Sequence, residues 1–245
     1  MVDIANLLVV TAGLCVNLYG LHTVIYGIPL PGYGGQFQYL TIIGLTIATT
    51  SLVVRIINLL TGFLKPVYET LSAIATPVEG LISILYWPIV LYDRTLLLPE
   101  GLEYDLPLIL DLSIHLIPTI VCWIDLLVYN KDFKRSPTHI LAIYIFGLSY
   151  FYWANLCFEN NGYWVYPLLG KFGDMQRAFF FLFCSWGGAL IYKASKSIAV
   201  CVTRVELELT IFLFLFLFNS SQSPFFNTRT YRSEAKARNE EDTIK

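Results

Sequence analysis

The sequence contains few charged residues and no excess of basic ones. Charged side chains make up 14% of its 245 residues and the formal net charge is −2, whereas soluble domains carry about 25% charged residues. A chain without a basic surplus has no electrostatic reason to bind nucleic acid. Because 56% of the residues are hydrophobic, the composition excludes an ordinary soluble domain and indicates a protein embedded in a lipid bilayer.

The sequence also lacks the motifs of metal and cofactor chemistry. Histidine occurs only three times, on different elements, which is too few for the histidine-rich di-iron sites of membrane desaturases. There is no HExxH, GxSxG, phosphate-loop or dinucleotide-binding pattern. We therefore expect no metal ion, no organic cofactor and reduced, packed thiols. The cysteines stand singly, without CxxC or zinc-finger spacing, at Cys15, Cys122, Cys157, Cys184 and Cys201.

Six apolar stretches are long enough to cross a hydrocarbon core of roughly 30 Å, which takes about 20 helical residues. They predict an all-α fold, a polytopic transmembrane bundle of six spans within one domain, residues 1–203. The first stretch has no basic segment before it and no small-residue cleavage site, so we expect a retained span. The predicted spans are Ile4–Ile25, Phe37–Leu60, Pro77–Leu98, Leu106–Val128, Thr138–Phe158 and Met175–Val202.

Lysine and arginine predict the orientation, because they concentrate in cytosolic loops. The second and fourth loops and the flank after the sixth span are basic, whereas the first and third loops contain neither residue. Arg55, near the end of the second span, is expected to snorkel towards the second loop. Both termini are therefore predicted to be cytosolic. The basic positions are Lys65, Lys131, Lys134, Arg135, Lys193, Lys196 and Arg204, opposed by Lys171 and Arg177 around the fifth loop.

The fourth stretch contains the ionisable pair that suggests a site. His115 lies near its middle with Asp111 four residues earlier, on the same face of a helix. An ionisable residue at membrane depth is costly and by default indicates function. A carboxylate behind a histidine holds the ring tautomer and stabilises the imidazolium, as in the base half of a catalytic triad. The alternative is a buried histidine that only hydrogen-bonds a neighbouring helix.

Polar residues from other spans converge on the same, non-cytosolic half of the bundle. Asp93 and Arg94 close the third span and Glu159 closes the fifth, although Asp93 and Arg94 could instead form an interfacial ion pair. The group still missing is a nucleophile, and a hydroxyl next to a base can serve. Hydroxyls in membrane helices usually bond their own backbone, so composition prefers none. The candidates in the second span are Thr41, Thr46, Thr49, Thr50 and Ser51.

Four ordered motifs resemble one known family. GGQFQYLT (Gly34–Thr41) opens the second span, WPIVLYDR (Trp87–Arg94) closes the third, His115 lies in the fourth, and ENNGYWVYP (Glu159–Pro167) follows the fifth. Over residues 1–198 the chain is similar in these motifs and in hydropathy to the androgen-induced-gene family, which includes androgen-dependent TFPI-regulating proteins.

The resemblance implies a six-span membrane threonine hydrolase whose substrates are fatty-acid esters of hydroxy fatty acids. By motif position it assigns the nucleophile to Thr41 and the base to His115. Asp111 stands where relatives can have Asn, so its orienting role is our own inference. The resemblance assigns no oxyanion donor; Arg94, or backbone amides near Gly34 and Gly35, are candidates.

We therefore expect a lipid esterase in a multi-pass protein. The family, and the absence of a targeting segment, favour the endoplasmic reticulum over the plasma membrane. The alternative is a non-enzymatic membrane protein, either a small carrier or a regulatory subunit. Carriers commonly show broken helices near the midplane and inverted repeats, and neither is visible in the sequence, which also gives no indication of oligomeric state.

Residues 204–245 depart from the family. Val205–Phe218 is apolar but, at about 14 residues, too short for a comfortable span, and is predicted to be an interfacial or docked helix. A gene-model error is the alternative, because codons for Val200 and Cys201 can carry a splice donor. The charged end, Arg229–Lys245, is predicted to be a solvated cytosolic tail.

Overall fold

The computed structural model describes residues 3–28, 30–97, 106–130, 133–195 and 197. Six helical segments of this part are long and apolar enough to cross a membrane, and it contains no strand, so the predicted all-α, six-span bundle is confirmed. Predictions for residues 204–245 lie outside the described residues. The helices are α1 (Ile4–Gly27), α2 (Leu40–Thr61), α3 (Lys65–Asp93), α4 (Leu108–His115), α5 (Ile117–Ile124), α6 (Pro137–Asn161), α7 (Pro167–Gly170) and α8 (Asp174–Ser195).

Local chemistry sets the helix ends. At the start of α6, the Ser136 hydroxyl accepts the amide of Thr138 at 3.2 Å, and the capping serine is followed by proline at the first helical position. The same helix ends at Gly162, in the left-handed conformation with φ 75°, whose amide donates to the Phe158 carbonyl. Helix α2 differs, because its N-cap Tyr39 supplies no side-chain cap. Its first amide is therefore open to a partner from elsewhere.

Small residues let the first four spans approach closely. A Cβ added to Gly20 of α1 would lie 2.7 Å from Ile114 of α4, and one added to Gly44 of α2 would lie 2.6 Å from Ile82 of α3. Without a hydrophobic driving force between helices in lipid, such close packing is a main source of association. These contacts fix α1 on α4 and α2 on α3, which positions the site described below.

The fourth span is broken immediately after His115. Leu116 has φ −122° and ψ −52°, and separates α4 from α5. Pro118 has no amide hydrogen to donate one turn back, which explains an interruption here. Ser83 of α3 donates to the carbonyl of His115 and lies 2.9 Å from the Thr119 hydroxyl. This interruption was not visible in the sequence, and the Ser83 side chain of α3 bonds the His115 carbonyl beside it.

Arg55 does not snorkel to the second loop, so that expectation is also wrong. Its side chain is buried, and Nε lies 3.0 Å from Oδ1 of Asp125 in the fourth span. The Tyr68 hydroxyl of α3 donates to the other carboxylate oxygen at 2.5 Å, and the guanidinium lies over the Tyr68 ring at 4.4 Å. A buried partner removes the need to reach water. We call Arg55, Tyr68 and Asp125 the Arg55 cluster.

The third span begins at Lys65 rather than at the predicted Pro77. Proline favours the first helical position, but membrane helices tolerate it internally because neighbouring groups satisfy the freed backbone. Both Pro77 and Pro88 lie inside α3. The longer helix brings Tyr68 of the Arg55 cluster into the bundle.

Candidate functional site

An apolar cavity of about 210 Å³ lies among the helices. Side chains of α1, α2, α3, α4, α6, α7 and α8 line it, and most are aliphatic or aromatic. A site with this lining excludes water and favours a hydrocarbon ligand. Its polar lining includes Tyr39, Thr41, Tyr86, Arg94, His115 and Tyr166.

His115 is held on three sides. Its Nδ1 lies 2.8 Å from Oδ1 of Asp111, and both side chains are buried. The Tyr86 ring stacks on the imidazole, with centroids 3.4 Å apart and an interplanar angle of 10°, and its hydroxyl donates to the same Asp111 oxygen at 2.6 Å. The third support is the Ser83 bond to the His115 carbonyl. We call Asp111, Tyr86 and His115 the His115 cluster.

This arrangement leaves one ring nitrogen for chemistry. Because Nδ1 faces the Asp111 carboxylate, the bonding pattern assigns the ring proton to Nδ1. Nε2 of the neutral ring then keeps its lone pair, on a side chain that lines the cavity. The orienting carboxylate expected from the sequence is in place, whereas Tyr86 was missed. Its only sequence signal was its position directly before the WPIVLYDR motif.

Thr41 differs from the other hydroxyls of α2. Those of Thr46, Thr49 and Thr50 donate to carbonyls one turn back in their own helix, at 2.6–2.8 Å. Thr41 is the second residue of the helix, and the carbonyl one turn before it, that of Phe37, accepts the indole N–H of a tryptophan in α6. Thr41 lines the cavity, and its hydroxyl lies within hydrogen-bonding reach of the Tyr166 phenol. Ser51, the remaining candidate, is not part of the cavity lining. The choice among the five hydroxyls therefore favours Thr41.

The open amide end of α2 is covered by Tyr166. The phenol oxygen accepts the Leu40 amide at 3.0 Å and lies within hydrogen-bonding reach of the Thr41 amide and hydroxyl. Burial raises the pKa of Tyr166, and burial with the neighbouring phenols raises that of Tyr39 well above its usual range. Both phenols therefore stay protonated at neutral pH and each keeps an O–H hydrogen.

Thr41 and His115 line one cavity, but no hydrogen bond joins them among the described residues. Catalytic hydrogen bonds are often long without substrate and tighten in the complex. Arg94 also lines the cavity and interacts electrostatically with Asp111 and Tyr86. The structure thus brings four of the residues proposed from sequence to one place.

The remaining two proposed residues lie elsewhere. Asp93 accepts the amide of Thr95 at 3.0 Å and its hydroxyl at 2.6 Å, capping the short turn after α3 rather than facing the cavity. Glu159 is exposed at the end of α6 and is not part of the lining. Gly34 and Gly35 are also absent from the lining. Their amides, which were candidate oxyanion donors, therefore do not line the cavity.

Comparison with known proteins places this geometry in context. Residues 5–199 match the FAR-17a/AIG1-like protein family. A UPF0641 membrane protein of Schizosaccharomyces pombe is 36% identical over 156 residues, covering 62% of this chain and 70% of that protein. The human androgen-induced gene 1 protein is 25% identical over 166 residues, 61% of this chain and 70% of its own length. The human androgen-dependent TFPI-regulating protein is 27% identical over 161 residues, 60% and 69% respectively. No solved structure matches the chain.

Proposed function

This chain belongs to the FAR-17a/AIG1-like protein family, and on that premise we propose that it hydrolyses lipid esters within the membrane, with Thr41 as nucleophile and His115 as base. One observation carries the proposal. Thr41, whose hydroxyl has no bond to a carbonyl of its own helix among the described residues, and His115, which is hydrogen-bonded to the Asp111 carboxylate, line the same apolar cavity. The substrate class implied by the resemblance is the fatty-acid esters of hydroxy fatty acids.

The chemistry follows from these positions. The Thr41 oxygen attacks the ester carbonyl carbon while Nε2 of His115 takes the hydroxyl proton. The carbonyl π electrons move to oxygen; when they return, the carbon–oxygen bond to the alcohol breaks, and His115 gives its proton to that alkoxide. Water then attacks the threonine ester in the same way, with His115 as base, releasing the fatty acid and regenerating the Thr41 hydroxyl.

The surroundings suit this chemistry. An apolar lining holds the acyl chain and strengthens every electrostatic interaction at the reacting atoms. Asp111 stabilises the imidazolium that forms during each step. The stacked Tyr86 ring fixes the imidazole plane, so that Nε2 keeps one direction into the cavity. The chain's own residues supply the nucleophile, the base and its support.

A carrier remains the second candidate, because the fourth span is broken beside the cavity. Broken helices in carriers expose backbone groups that coordinate ions or substrate. Here the carbonyl of His115 already accepts a hydrogen bond from Ser83, so it is not free to coordinate an ion or a substrate. The break therefore favours a fixed catalytic site over the site of a carrier.

Hydrolysis of a branched fatty-acid ester by the purified protein tests the proposal. Wild type should release both fatty acids, and Thr41→Ala should release neither. Thr46→Ala is the matched control, because it removes a hydroxyl that only bonds its own helix. Equal hydrolysis by Thr41→Ala and wild type, or transport of the intact ester without hydrolysis, would contradict the proposal.

The orientation and the compartment also belong to the proposal. We place both termini in the cytosol, the cavity in the non-cytosolic half and the protein in the endoplasmic reticulum. Tags at the two ends should both react with a membrane-impermeant reagent from the cytosolic side. Reaction of the ends from opposite sides would mean an odd number of crossings.

A further inference from the structure

We propose that the Tyr166 phenol donates the hydrogen bond that stabilises the oxyanion formed when Thr41 attacks an ester. This rests on the proposed function and adds a catalytic residue to it. Attack leaves a full negative charge on the carbonyl oxygen, and in an apolar cavity that charge needs a preorganised donor. Amides near Gly34 and Gly35, the backbone candidates from sequence, lie outside the cavity lining.

Tyr166 is fixed beside the nucleophile. Its ring packs edge to face against Tyr39, with centroids 5.7 Å apart and an interplanar angle of 78°. Pro167 follows directly and begins α7, which restricts the backbone on that side. The phenol oxygen accepts the Leu40 amide at 3.0 Å and reaches the Thr41 amide and hydroxyl. A carbonyl attacked by Thr41 must therefore lie next to this phenol.

The hydrogens of two neighbouring phenols are bonded to acceptors away from Thr41. The Tyr150 hydroxyl donates to the Gln38 carbonyl at 3.0 Å, and that of Tyr86 donates to Asp111. The Tyr166 oxygen accepts the Leu40 amide and lies within hydrogen-bonding reach of the Tyr150 and Thr41 hydroxyls, and the side chain lines the cavity. Rotation of the O–H about the ring carbon–oxygen bond turns its hydrogen towards an oxyanion formed at Thr41. Amides that donate to a phenol oxygen polarise its O–H and strengthen it as a donor.

Substitution of Tyr166 by phenylalanine, assayed on an ester and on its thionoester, tests the proposal. Sulfur accepts hydrogen bonds more weakly than oxygen, so wild type should be much slower on the thionoester. Tyr166→Phe should lower kcat on the ester by about 100- to 1,000-fold, leave KM nearly unchanged and shrink the thionoester penalty. Tyr163→Phe is the matched control, because that hydroxyl is in the same loop and donates to the Pro31 carbonyl at 3.0 Å.

A purely structural role gives a different result. If Tyr166 only caps α2, its loss slows hydrolysis of the ester and of the thionoester equally. A ratio of ester to thionoester rates that is the same in Tyr166→Phe as in wild type therefore overturns the proposal. A penalty that disappears in Tyr39→Phe but persists in Tyr166→Phe also overturns it, since the donor is then Tyr39. Wild-type kcat in Tyr166→Phe, with hydrolysis still dependent on Thr41, overturns the oxyanion assignment while the proposed function stands.

A fluorinated tyrosine at position 166 keeps the ring and the cap, so it covers the case in which Tyr166→Phe does not fold. Fluorine withdraws electrons and lowers the phenol pKa. A phenolate still accepts the Leu40 amide but cannot donate, so activity should fall at alkaline pH where wild type remains active. Phenolate absorbance identifies the pH at which the fluorinated residue ionises, and activity that stays at the wild-type level through that ionisation would overturn the proposal. Wild type without any Thr41-dependent hydrolysis would overturn the proposed function as well.

Discussion

The fourth span carries two buried carboxylates in almost the same setting. Each accepts a hydrogen bond from a tyrosine of α3 and faces a basic side chain: Asp111 in the His115 cluster and Asp125 in the Arg55 cluster. The distances are similar, 2.8 Å to the histidine and 3.0 Å to the arginine. Only the histidine lines the apolar cavity.

The difference lies in what the base can do. Arginine stays protonated in proteins, so the Arg55 cluster is a closed ion pair that joins the second, third and fourth spans. Histidine has a neutral form with a free lone pair, and the break after His115 leaves that ring beside Thr41's cavity. The same three groups, a buried carboxylate, a tyrosine and a base, thus hold three spans together in the Arg55 cluster and form the proposed reaction centre in the His115 cluster.

Removing the base from the His115 cluster should have the largest effect on catalysis. His115→Ala should lower kcat by more than about 10⁴-fold, and adding Thr41→Ala should make it no worse, because members of one catalytic unit are not additive. Lipid hydrolysis followed by mass spectrometry measures this, with thermal unfolding in detergent as the control for folding. Normal turnover in His115→Ala would show that the cluster is only structural.

Removing the base from the Arg55 cluster should act on stability instead. Arg55→Leu leaves the Asp125 carboxylate buried without its cation, which costs about 3–5 kcal/mol in free energy of unfolding. Turnover per folded molecule should stay unchanged. The double variant Arg55→Leu/Asp125→Leu should recover most of the stability, since replacing both partners is often neutral. A loss of kcat in Arg55→Leu that remains folded would show that the Arg55 cluster, like the His115 cluster, takes part in catalysis.

The two carboxylates should differ in what can replace them. Asp111→Asn should keep most of the turnover, because an amide oxygen still accepts from the imidazole and from Tyr86. Asp111→Leu accepts from neither, so kcat should fall by about 100-fold or more. Steady-state kinetics of both variants measure the difference. Equal kcat in the two would reduce Asp111 to a packing residue.

The smallest expected effect is the pH dependence. Only neutral His115 can take the Thr41 proton, so hydrolysis should fall as pH drops through the titration of His115 in the free enzyme. Arg55 stays protonated at all working pH values and should impose no such dependence. The kcat/KM profile of wild type, compared with that of Asp111→Asn, measures the effect. A flat profile through the acid range would mean that His115 is not the base.

Sequence reasoning reached the fold because apolar length reports spans directly, and it reached His115 and Asp111 because helical spacing places them on one face. It could not find the Arg55–Asp125 pair, which joins residues far apart in sequence. The same limit hid Tyr86, whose stacking depends on how α3 packs against α4. Helix packing, rather than local pattern, decides such contacts.

The break after His115 was missed for a different reason. Pro118 was visible in the sequence, but Pro77 and Pro88 are equally visible and lie inside a continuous α3. What differs is the neighbour: at the break, Ser83 of α3 donates to the His115 carbonyl, and the Thr119 hydroxyl of the fourth span donates to the Glu79 carbonyl of α3. A proline in the sequence therefore does not by itself predict whether a helix continues or is interrupted there.

Labelling with a fluorophosphonate probe tests the central claim most directly, because the probe captures activated hydroxyls and peptide mapping identifies the residue. Wild type should be labelled at Thr41, and Thr46→Ala should be labelled equally. Thr41→Ala and His115→Ala should not be labelled, while Arg55→Leu that remains folded should be. Labelling that persists in Thr41→Ala and disappears with another hydroxyl of α2 would contradict the account.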